Sequence, residues 1–318
     1  MLRIATVGTS AITRQLIEAV AISGVAEVVA VSSRRRDQAQ AFADEMGVDL
    51  ALEGLEQVIA HPNVDAVYIA SPNLAHAGQV EACLHGGKHV LCEKPLAPTA
   101  GEQVRLFDLA ASQGLVLLEA VRSIFDPGME LVRGLLPRLG TVRRASFAYC
   151  QRSARYDLVL AGEPVTIFDP DSAGGSLYDL GVYCIHPLVH LFGEPETVQC
   201  VSVPIATGAD GAGVVLAGYP GLVADLSYSK ITASTTPSQI QGELATMYLD
   251  HIAMPRVITV HELGAEPEVI RVGGEPNNLV YEVRHFAGLV DSGEPAVVES
   301  RRSIAAATVL DRARRAEG

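Results

Sequence analysis

Over roughly the first 120 residues, short apolar runs rich in β-branched residues alternate with stretches of helical periodicity. This alternation is typical of a parallel sheet with crossover helices, and no other feature constrains the fold as strongly. It predicts strands at residues 2–7, 27–32, 66–70, 89–92 and 116–118. The predicted helices span residues 11–22, 36–46, 55–61, 76–85 and 100–112. We therefore expect a doubly wound α/β domain at the start of the chain.

After Pro127 the pattern changes to short strands with little helix between them. The predicted strands are 142–150, 197–203, 213–217, 223–230, 246–250 and 256–260, and the predicted helices are 180–192, 279–292 and 300–315. Strands without crossover helices pair mainly antiparallel, so we expect an α+β domain with one large, mostly antiparallel open sheet. Because 318 residues exceed a usual single core, we place two domains at 1–122 and 123–318.

Charge and cysteine content exclude several classes of protein. The net charge of −13 argues against a nucleic-acid partner, because phosphate binding needs a basic face. The five cysteines are scattered without a CxxC pair, which indicates a reducing compartment rather than disulfides or a zinc site. The histidines show no ligand spacing, so we expect no metal. Without a signal peptide or a membrane-spanning run, the protein is predicted to be cytoplasmic.

A glycine turn between the first predicted strand and helix lies where a dinucleotide pyrophosphate would meet free backbone N–H groups. Residues 8–13 read Gly-Thr-Ser-Ala-Ile-Thr, so Ser10 and Thr13 stand where the usual G-x-G-x-x-G has glycines. A simple strand-to-helix turn would have the same features. The predicted cofactor-binding residues of this turn are Gly8, Thr9, Ser10, Ala11 and Ile12.

The second strand ends in Ser32-Ser33-Arg34-Arg35-Arg36, where NAD-binding folds usually carry an acid for the ribose 2′-hydroxyl. Arginines are unfavourable at the positive end of a helix, and a bound 2′-phosphate would neutralise them. Arg34 with the Ser33 hydroxyl is the predicted phosphate-binding pair. NADP is therefore the predicted cofactor. A solvated charged run is the alternative interpretation, and NAD remains open.

Two later strands end in polar turns, Ser71-Pro72-Asn73 and Glu93-Lys94-Pro95. Their carboxyl ends should face the crevice that binds ligands in open α/β sheets. Asn73 is expected to contact the cofactor there. His76, near the start of the following helix, either contacts the nicotinamide ribose or caps the helix.

These turns, the preceding Gly87-Lys88-His89-Val90-Leu91-Cys92 and the later segment from Gly174 to Tyr183 resemble the Gfo/Idh/MocA family of oxidoreductases over nearly the whole chain. The resemblance implies a Rossmann domain, a C-terminal open-sheet domain and hydride transfer. Many relatives have histidine at the position of Tyr183. The tyrosine form is similar to the dimeric dihydrodiol dehydrogenase and glucose-fructose oxidoreductase branches. The resemblance implies that the catalytic residues are Lys94, Asp179 and Tyr183, and that further cofactor contacts come from Ser71, Pro72, Asn73, His76, Glu93 and Lys94.

Elementary chemistry agrees with this trio. Carbonyl reduction needs a proton donor at oxygen, but tyrosine, with a pKa of about 10, exchanges protons poorly at neutral pH. An ammonium about 4 Å away at an effective dielectric of about 20 contributes roughly 4 kcal/mol. Lys94 and Tyr183 are therefore predicted to form a proton-transfer pair, which Asp179 supports. The alternatives are an interface aromatic for Tyr183 and a helix N-cap for Asp179.

Three residues, Arg122, Tyr156 and His186, are candidate substrate contacts. The spacing of Asp179, Tyr183 and His186 would place them on one helical face, although Gly181 and Pro187 indicate an irregular turn entering the helix. Many relatives have Asp or Asn at the position of His186. The predicted substrate contacts are Arg122, Tyr156 and His186, with a solvated loop as the alternative for Tyr156.

We therefore expect an NADP(H)-dependent oxidoreductase acting on a sugar, polyol, trans-dihydrodiol or dicarbonyl, without flavin or metal. One alternative is a nucleotide sensor without turnover, and another is an enzyme that keeps and recycles a tightly bound NAD(P). A small molecule is the expected partner. A homodimer or higher homo-oligomer is expected to form through the exposed face of the C-terminal sheet.

Overall fold

The computed structural model describes residues 1–316 and divides into two compact units. The first unit contains Met1–Arg122 and Glu275–Ile304, and the second contains Ser123–Gly274 and residues 305–316. Each unit has its own hydrophobic core. No helix within residues 1–316 has the length and hydropathy needed to cross a bilayer.

A six-stranded parallel sheet forms the centre of the first unit. Its strands are β1 (Leu2–Val7), β2 (Ala26–Ser33), β3 (Ala51–Glu53), β4 (Ala66–Ile69), β5 (His89–Glu93) and β6 (Leu117–Ala120). The helices between them are α1 (Ala11–Ser23), α2 (Arg36–Met46), α3 (Gly54–Ala60), α4 (Asn73–His85) and α5 (Ala100–Ser112). The strand order is β3-β2-β1-β4-β5-β6, with every described pair parallel. The doubly wound Rossmann prediction is confirmed, although the short β3 was not foreseen.

The strand order places the ligand-binding edge of this sheet. β4 is buried along its whole length, as expected for a parallel strand covered on both faces. β1 lies between β2 and β4, so the direction of chain progression across the sheet reverses there. Open α/β sheets bind ligands outside the carboxyl ends of the strands at such a reversal. The turns after β1, β2, β4 and β5 therefore form the candidate site of this unit.

The second unit is built on an eight-stranded sheet. Its strands are β7 (Val142–Cys150), β8 (Thr197–Pro204), β9 (Asp210–Tyr219), β10 (Leu222–Ser229), β11 (Ser238–Gly242), β12 (Ala245–Leu249), β13 (Val257–Glu262) and β14 (Glu268–Arg271). The order is β14-β13-β12-β11-β7-β10-β9-β8. Among the described residues β7 and β10 pair parallel and the other neighbours pair antiparallel. The predicted mostly antiparallel open sheet is confirmed, whereas β11 and β14 were not predicted.

Two helices pack against the core of this sheet, α6 (Pro127–Leu135) and α8 (Val182–Phe192). A short helix, α7 (Tyr156–Leu160), buries Val159 in a separate cluster with Val165 and Phe168. Ile185 and Leu188 of α8 pack in one core with Phe147 of β7 and Leu226 of β10. A π-helical turn, Leu177–Gly181, leads directly into α8. α6 and α7 were not predicted, because their short lengths give weak periodicity.

The segment 275–304 lies with the first unit, although the sequence analysis placed it in the C-terminal domain. It contains α9 (Leu279–Ser292), which buries Leu279, Val283 and Phe286 and packs beside α1. α10 (Val297–Ala316) begins in the first unit and ends in the second. Helical periodicity shows that α9 has an apolar face, but it carries no information about which of two cores that face fills.

Candidate active site

The turn after β1 requires glycine at its first position. Gly8 has φ +110°, a region that side-chain-bearing residues rarely adopt. A Cβ at Gly8 would lie 2.6 Å from the carbonyl oxygen of Ala70, which follows β4. The Gly8 N–H donates to the Ser32 carbonyl oxygen at 3.0 Å. Gly8 therefore allows the ends of β1, β2 and β4 to approach closely at one edge of the sheet.

The amino terminus of α1 has the features of an anion site. Ser10 is the N-cap residue, but its side chain makes no capping hydrogen bond, and its hydroxyl lies 3.2 Å from Thr13 Oγ1. The first turn, which includes Ala11 and Ile12, contains no acidic residue. Neither a capping side chain nor an acid therefore competes with an anion for the N–H groups of this turn. These features fit the pyrophosphate of a dinucleotide.

The arginine run after β2 is not uniform in the structure. Arg35 forms an ion pair with Asp37, and Arg36 is the first residue of α2. Arg34 is exposed and makes no hydrogen bond or ion pair with any residue in the described range 1–316. Asp37, the acid closest in sequence to the end of β2, is thus paired with Arg35. Arg34 remains available as a cation where a dinucleotide fold holds the adenosine ribose, which fits a 2′-phosphate.

A chain of hydrogen bonds joins the turns after β1 and β2. The Ser33 hydroxyl donates to Gln38 Oε1 at 2.8 Å, and Gln38 Nε2 donates to Thr9 Oγ1 at 3.0 Å. Two predicted cofactor residues, Ser33 and Thr9, are therefore held together by a third side chain. Gln38 was not predicted as a site residue, because its position in the first turn of α2 carries no motif.

His76 joins the turns that follow β4 and β5. Its side chain is 1% exposed, with Nδ1 2.9 Å from the Pro95 carbonyl oxygen and Nε2 2.8 Å from the Ser71 carbonyl oxygen. Asn73 is the first residue of α4, and Pro72 occupies its N-cap position. His76 thus connects the turn after β4 with the turn after β5 through its two ring nitrogens. Its predicted contact with the nicotinamide ribose stays a prediction, as does the cofactor contact of Asn73.

Lys94 follows β5 at the carboxyl edge of the sheet and is half-buried. Glu93, the last residue of β5, accepts a hydrogen bond from the Tyr68 hydroxyl at 2.6 Å. Burial raises the pKa of Glu93, while the Tyr68 hydrogen bond and the Lys94 ammonium oppose that rise. Glu93 is therefore fixed inside the unit, and Lys94 is the residue of this turn that can present a charged group at the edge.

Glu282 of α9 is a second buried acid in the same unit. Its side chain is 0% exposed, and neither carboxyl oxygen has a hydrogen-bond partner among the described residues. Burial raises its pKa well above the usual range, repulsion from Glu93 adds to the rise, and Arg122 opposes it. A protonated carboxyl is the form that this environment favours. No sequence motif marked Glu282.

We expect Glu282→Gln to stabilise the protein at high pH. A raised native pKa means that the folded state holds the proton more tightly, so this contribution to stability falls as pH rises from about 4.3, the value of an unfolded glutamate, to the native value. Each pKa unit corresponds to about 1.4 kcal/mol. Thermal unfolding at pH 5 and pH 8 should show a smaller fall in Tm for the variant. Glu18→Gln, at an exposed position of α1, is the control and should show the same fall in Tm as the unmodified protein. An equal fall in Tm for the unmodified protein and both variants would contradict the prediction.

The π-helical turn presents Asp179 in the second unit. Ser176 is the N-cap residue of the turn, so Asp179 lies inside it and the predicted N-cap role does not fit. The Asp179 side chain is 43% exposed and Tyr183 is half-buried, whereas His186 is 2% exposed. These positions differ in environment because a π turn contains more residues than an α turn and shifts the helical faces. The role of His186 stays a prediction.

Lys230 is the ion-pair partner of Asp179 and was missed by the sequence analysis. It follows β10, is 5% exposed, and places its Nζ 5.8 Å from the centre of the Phe168 ring. A signal for it was present in the composition. The chain has 24 lysines and arginines, of which three are lysines, at positions 88, 94 and 230. Lysine and arginine differ in hydration and hydrogen-bond geometry, so the three lysines were positions that merited attention.

Tyr183 packs in a small aromatic cluster of the second unit. Its ring meets Tyr149 of β7 edge-on, with centroids 5.5 Å apart at 64°. Tyr149 in turn meets His251 at 4.8 Å and 79°. Edge-to-face contacts of this kind fix ring orientation. The cluster explains how the Tyr183 ring is held, and neither Tyr149 nor His251 was identified from the sequence.

The remaining predicted contacts have local partners. Arg122 Nε donates to Asn278 Oδ1, and Arg122 Nη1 donates to Gln15 Oε1 at 3.2 Å. The Tyr156 ring lies 5.8 Å from the Phe168 ring. Their contacts with substrate stay predictions. Within residues 1–316 the structure holds no cluster of three or more His, Cys, Asp or Glu side chains that could bind a metal.

Comparison with protein families identifies the chain. Residues 2–121 match the family model described as oxidoreductase family, NAD-binding Rossmann fold, and residues 137–248 match the GFO/IDH/MocA C-terminal domain. The chain belongs to the Gfo/Idh/MocA family. The family resemblance and the prediction of an oxidoreductase are thereby confirmed. As a Gfo/Idh/MocA member the chain is a nicotinamide-dependent dehydrogenase or reductase.

Several Gfo/Idh/MocA relatives match over most of the chain. The scyllo-inositol 2-dehydrogenase (NADP(+)) IolU of Bacillus subtilis is 36% identical over 320 residues, 100% of this chain and 98% of that protein. The trans-1,2-dihydrobenzene-1,2-diol dehydrogenase of Mus musculus is 33% identical, over 92% of this chain and 89% of that one. The 3-ketoreductase KijD10 of Actinomadura kijaniata, solved with NADP and TDP-benzene, superposes with a TM-score of 0.88 at 25% identity, covering 99% and 98% of the two chains.

Proposed function

We propose that the protein is an NADP(H)-dependent dehydrogenase or reductase that transfers hydride to or from a carbon of a small polyhydroxylated substrate. One observation carries the proposal: the glycine turn at Gly8, Arg34 and Lys94 all follow strands at the carboxyl edge of one parallel sheet, and Arg34 has no ion-pair or hydrogen-bond partner among the described residues. This edge offers an anion site, a cation for a 2′-phosphate and a cation for the reacting oxygen.

The proposed chemistry divides the work between cofactor and protein. The nicotinamide ring, when bound, supplies or accepts the hydride at C4. Tyr183 gives a proton to the carbonyl oxygen during reduction and takes it back from the hydroxyl during oxidation. Lys94 stabilises negative charge on the phenol oxygen and on the substrate oxygen. Asp179 accepts a hydrogen bond from the substrate or supports this pair.

The substrate class follows from the relatives. IolU is named for scyllo-inositol and the mouse enzyme for trans-1,2-dihydrobenzene-1,2-diol, and both compounds carry hydroxyl groups on adjacent carbons. IolU is also named for NADP(+), which agrees with the unpaired Arg34. We therefore propose sugars, polyols, trans-dihydrodiols and their keto forms as substrates. NAD is the second candidate cofactor.

The test is a turnover assay with purified protein. Scyllo-inositol, trans-1,2-dihydrobenzene-1,2-diol and a panel of sugars are offered with NADP+ or NAD+, and the absorbance of reduced nicotinamide is followed. Dicarbonyls and keto sugars are offered with NADPH. We expect turnover with NADP(H) on at least one polyhydroxylated compound. Cofactor binding without turnover on any compound would favour a nucleotide sensor, and cofactor that stays bound through gel filtration would favour a recycled prosthetic group.

We also propose that the protein forms a homodimer through the outer face of the second sheet. Five aliphatic side chains are exposed there on three adjacent strands: Val201, Val203, Val214, Leu216 and Val223. Val201 and Val214 are directly paired across β8 and β9. An exposed apolar sheet face of this kind needs a cover. A second copy of the same face can supply it, because two-fold symmetric contacts are self-complementary.

The double variant Val201→Asp/Leu216→Asp is expected to convert this dimer into monomers, because it buries charge at the proposed contact. Light scattering after gel filtration should give twice the 33.6 kDa chain mass for the unmodified protein and one chain mass for the variant. Leu160→Asp, at an exposed position of α7 outside this set of five residues, should stay dimeric. A Val201→Asp/Leu216→Asp variant that remains dimeric would contradict this interface.

Cell fractionation would test the proposed cytoplasmic location.

A further inference from the structure

Lys230 holds its charged group in an unusual environment. It is almost fully buried, and its ammonium forms an ion pair with Asp179. Taking two charges out of water is costly, and replacing a buried ion pair with apolar residues is often neutral or stabilising. Stability alone therefore gives no reason for a charged pair here. Lys230 is one of three lysines among the 24 basic residues of the chain.

The two members of the pair face different surroundings. The Asp179 side chain is 43% exposed and that of Lys230 is 7% exposed, so the carboxylate meets solvent and the ammonium lies behind it. Among the described residues, Lys230 Nζ makes one hydrogen bond, to Asp179 Oδ2, and the Phe168 ring flanks it at 5.8 Å. An aromatic face attracts a cation but accepts no strong hydrogen bond. The carboxylate is thus the strong partner that the ammonium holds.

Both members are held in place by the second unit itself. The Lys230 N–H donates to the Gly211 carbonyl oxygen at 2.9 Å, and its carbonyl oxygen accepts from the Ser153 N–H at 2.8 Å. Asp179 lies in the π-helical turn, where the Cβ that Gly181 lacks would approach the Tyr228 ring of β10 at 3.3 Å. The pair is therefore formed by contacts within one unit, before any ligand binds.

We propose that Lys230 is a positioning residue that acts through Asp179: it keeps this carboxylate charged and aimed outward to accept a hydrogen bond from a substrate hydroxyl next to the reacting carbon. This inference rests on the proposed function and deepens it. A fixed, charged acceptor favours substrates that carry a second hydroxyl beside the reacting carbon. It disfavours analogues in which that hydroxyl is replaced by hydrogen, because the hydrogen bond from the substrate to the carboxylate is then lost.

A double-mutant cycle tests whether Lys230 works through Asp179. We expect Lys230→Met and Asp179→Asn each to lower kcat/KM for a vicinal diol by about 10²-fold, as misplacement of a substrate-positioning group does. Because they act as one unit, Asp179→Asn/Lys230→Met should be within about threefold of Asp179→Asn alone. Lys230→Arg should recover part of the loss. For a substrate lacking the adjacent hydroxyl, the same substitutions should change kcat/KM far less.

The cycle remains informative if the single variant fails to fold. If Lys230→Met alone fails to fold, the comparison of Asp179→Asn with Asp179→Asn/Lys230→Met still shows whether Lys230 acts without Asp179. Asp179→Asn keeps the buried ammonium and replaces its partner by a neutral amide, whereas the double variant removes both charges. A double variant at least tenfold below Asp179→Asn would overturn the proposal, because Lys230 would then have a role of its own. Equal losses on substrates with and without the adjacent hydroxyl would overturn it as well. NADPH binding, followed by fluorescence, should be unchanged in all variants.

A measurement that needs no turnover separates this inference from the proposed function. With three lysines, ¹⁵N-lysine labelling gives a side-chain spectrum that Lys88→Arg and Lys230→Arg assign. The buried ammonium of Lys230 should exchange slowly with water, and its signal should move or vanish in Asp179→Asn. A Lys230 signal that is unchanged in Asp179→Asn would contradict the ion pair. If the pair is present in the spectrum and no compound turns over, the proposed function fails instead.

Discussion

Lys94→Met is expected to lower kcat for hydride transfer by about 10³-fold, within the range that acid–base catalysis contributes. Methionine preserves the length and apolar contacts of the side chain and removes the charge. The ammonium at the end of β5 would no longer stabilise negative charge on the reacting oxygen or on the Tyr183 phenol. NADPH binding should change little, because the proposed phosphate contacts come from the turns after β1 and β2. Steady-state kinetics and fluorescence titration of NADPH measure the two effects separately.

Lys88→Met provides the matched control. Lys88 Nζ donates to the carbonyl oxygens of His61 and Val64, at 3.2 and 2.7 Å, so its role is structural. We expect a lower Tm and nearly normal kcat. Tyr183→Phe should resemble Lys94→Met, and the double variant should lose little more than either single one if the two side chains act together. Full activity in Lys94→Met would end the proposed mechanism, whereas additive losses would separate the roles of Lys94 and Tyr183.

Arg34→Ala is expected to weaken NADPH binding by about 10- to 100-fold and to leave NADH binding almost unchanged. A hydrogen bond to a charged group contributes about 1.5–3 kcal/mol, and each 1.4 kcal/mol is about a factor of ten in affinity. Arg34 makes no other hydrogen bond or ion pair within residues 1–316, so the loss should report on the 2′-phosphate alone. Arg34→Asp should shift the preference further towards NADH, because it adds repulsion.

Arg35→Ala is the control for this experiment. Arg35 is already paired with Asp37, so its removal should affect NADPH binding much less than that of Arg34. If both alanine variants weaken NADPH and NADH equally, the arginine run is a general charged surface rather than a 2′-phosphate site. Dissociation constants for both cofactors at one ionic strength are needed, because salt screens exposed charges.

Several features of the site were predictable because they depend on residues close in sequence. The turn at Gly8 and the position of Lys94 after β5 follow from where an apolar strand ends, and a parallel sheet places such ends at one edge. The availability of Arg34 could be anticipated, because the second strand does not end in the acid that NAD-binding folds usually carry there. The partner of Asp179 could not, because Lys230 lies 51 positions away and no local pattern links the π-helical turn to the end of β10.

The sequence by itself determined most of the strands and helices, apart from β3, β11, β14, α6 and α7, together with the doubly wound first unit and the mostly antiparallel second sheet. It also determined which turns lie at the candidate ligand-binding edge. These properties follow from hydrophobic period and turn chemistry, which act over a few residues. Only the tertiary structure decided that α9 packs with the first unit, that Glu282 is buried beside Glu93, and that Asp179 is held by Lys230. Those contacts join distant segments, and their energies depend on burial and charge that exist only after the chain has folded.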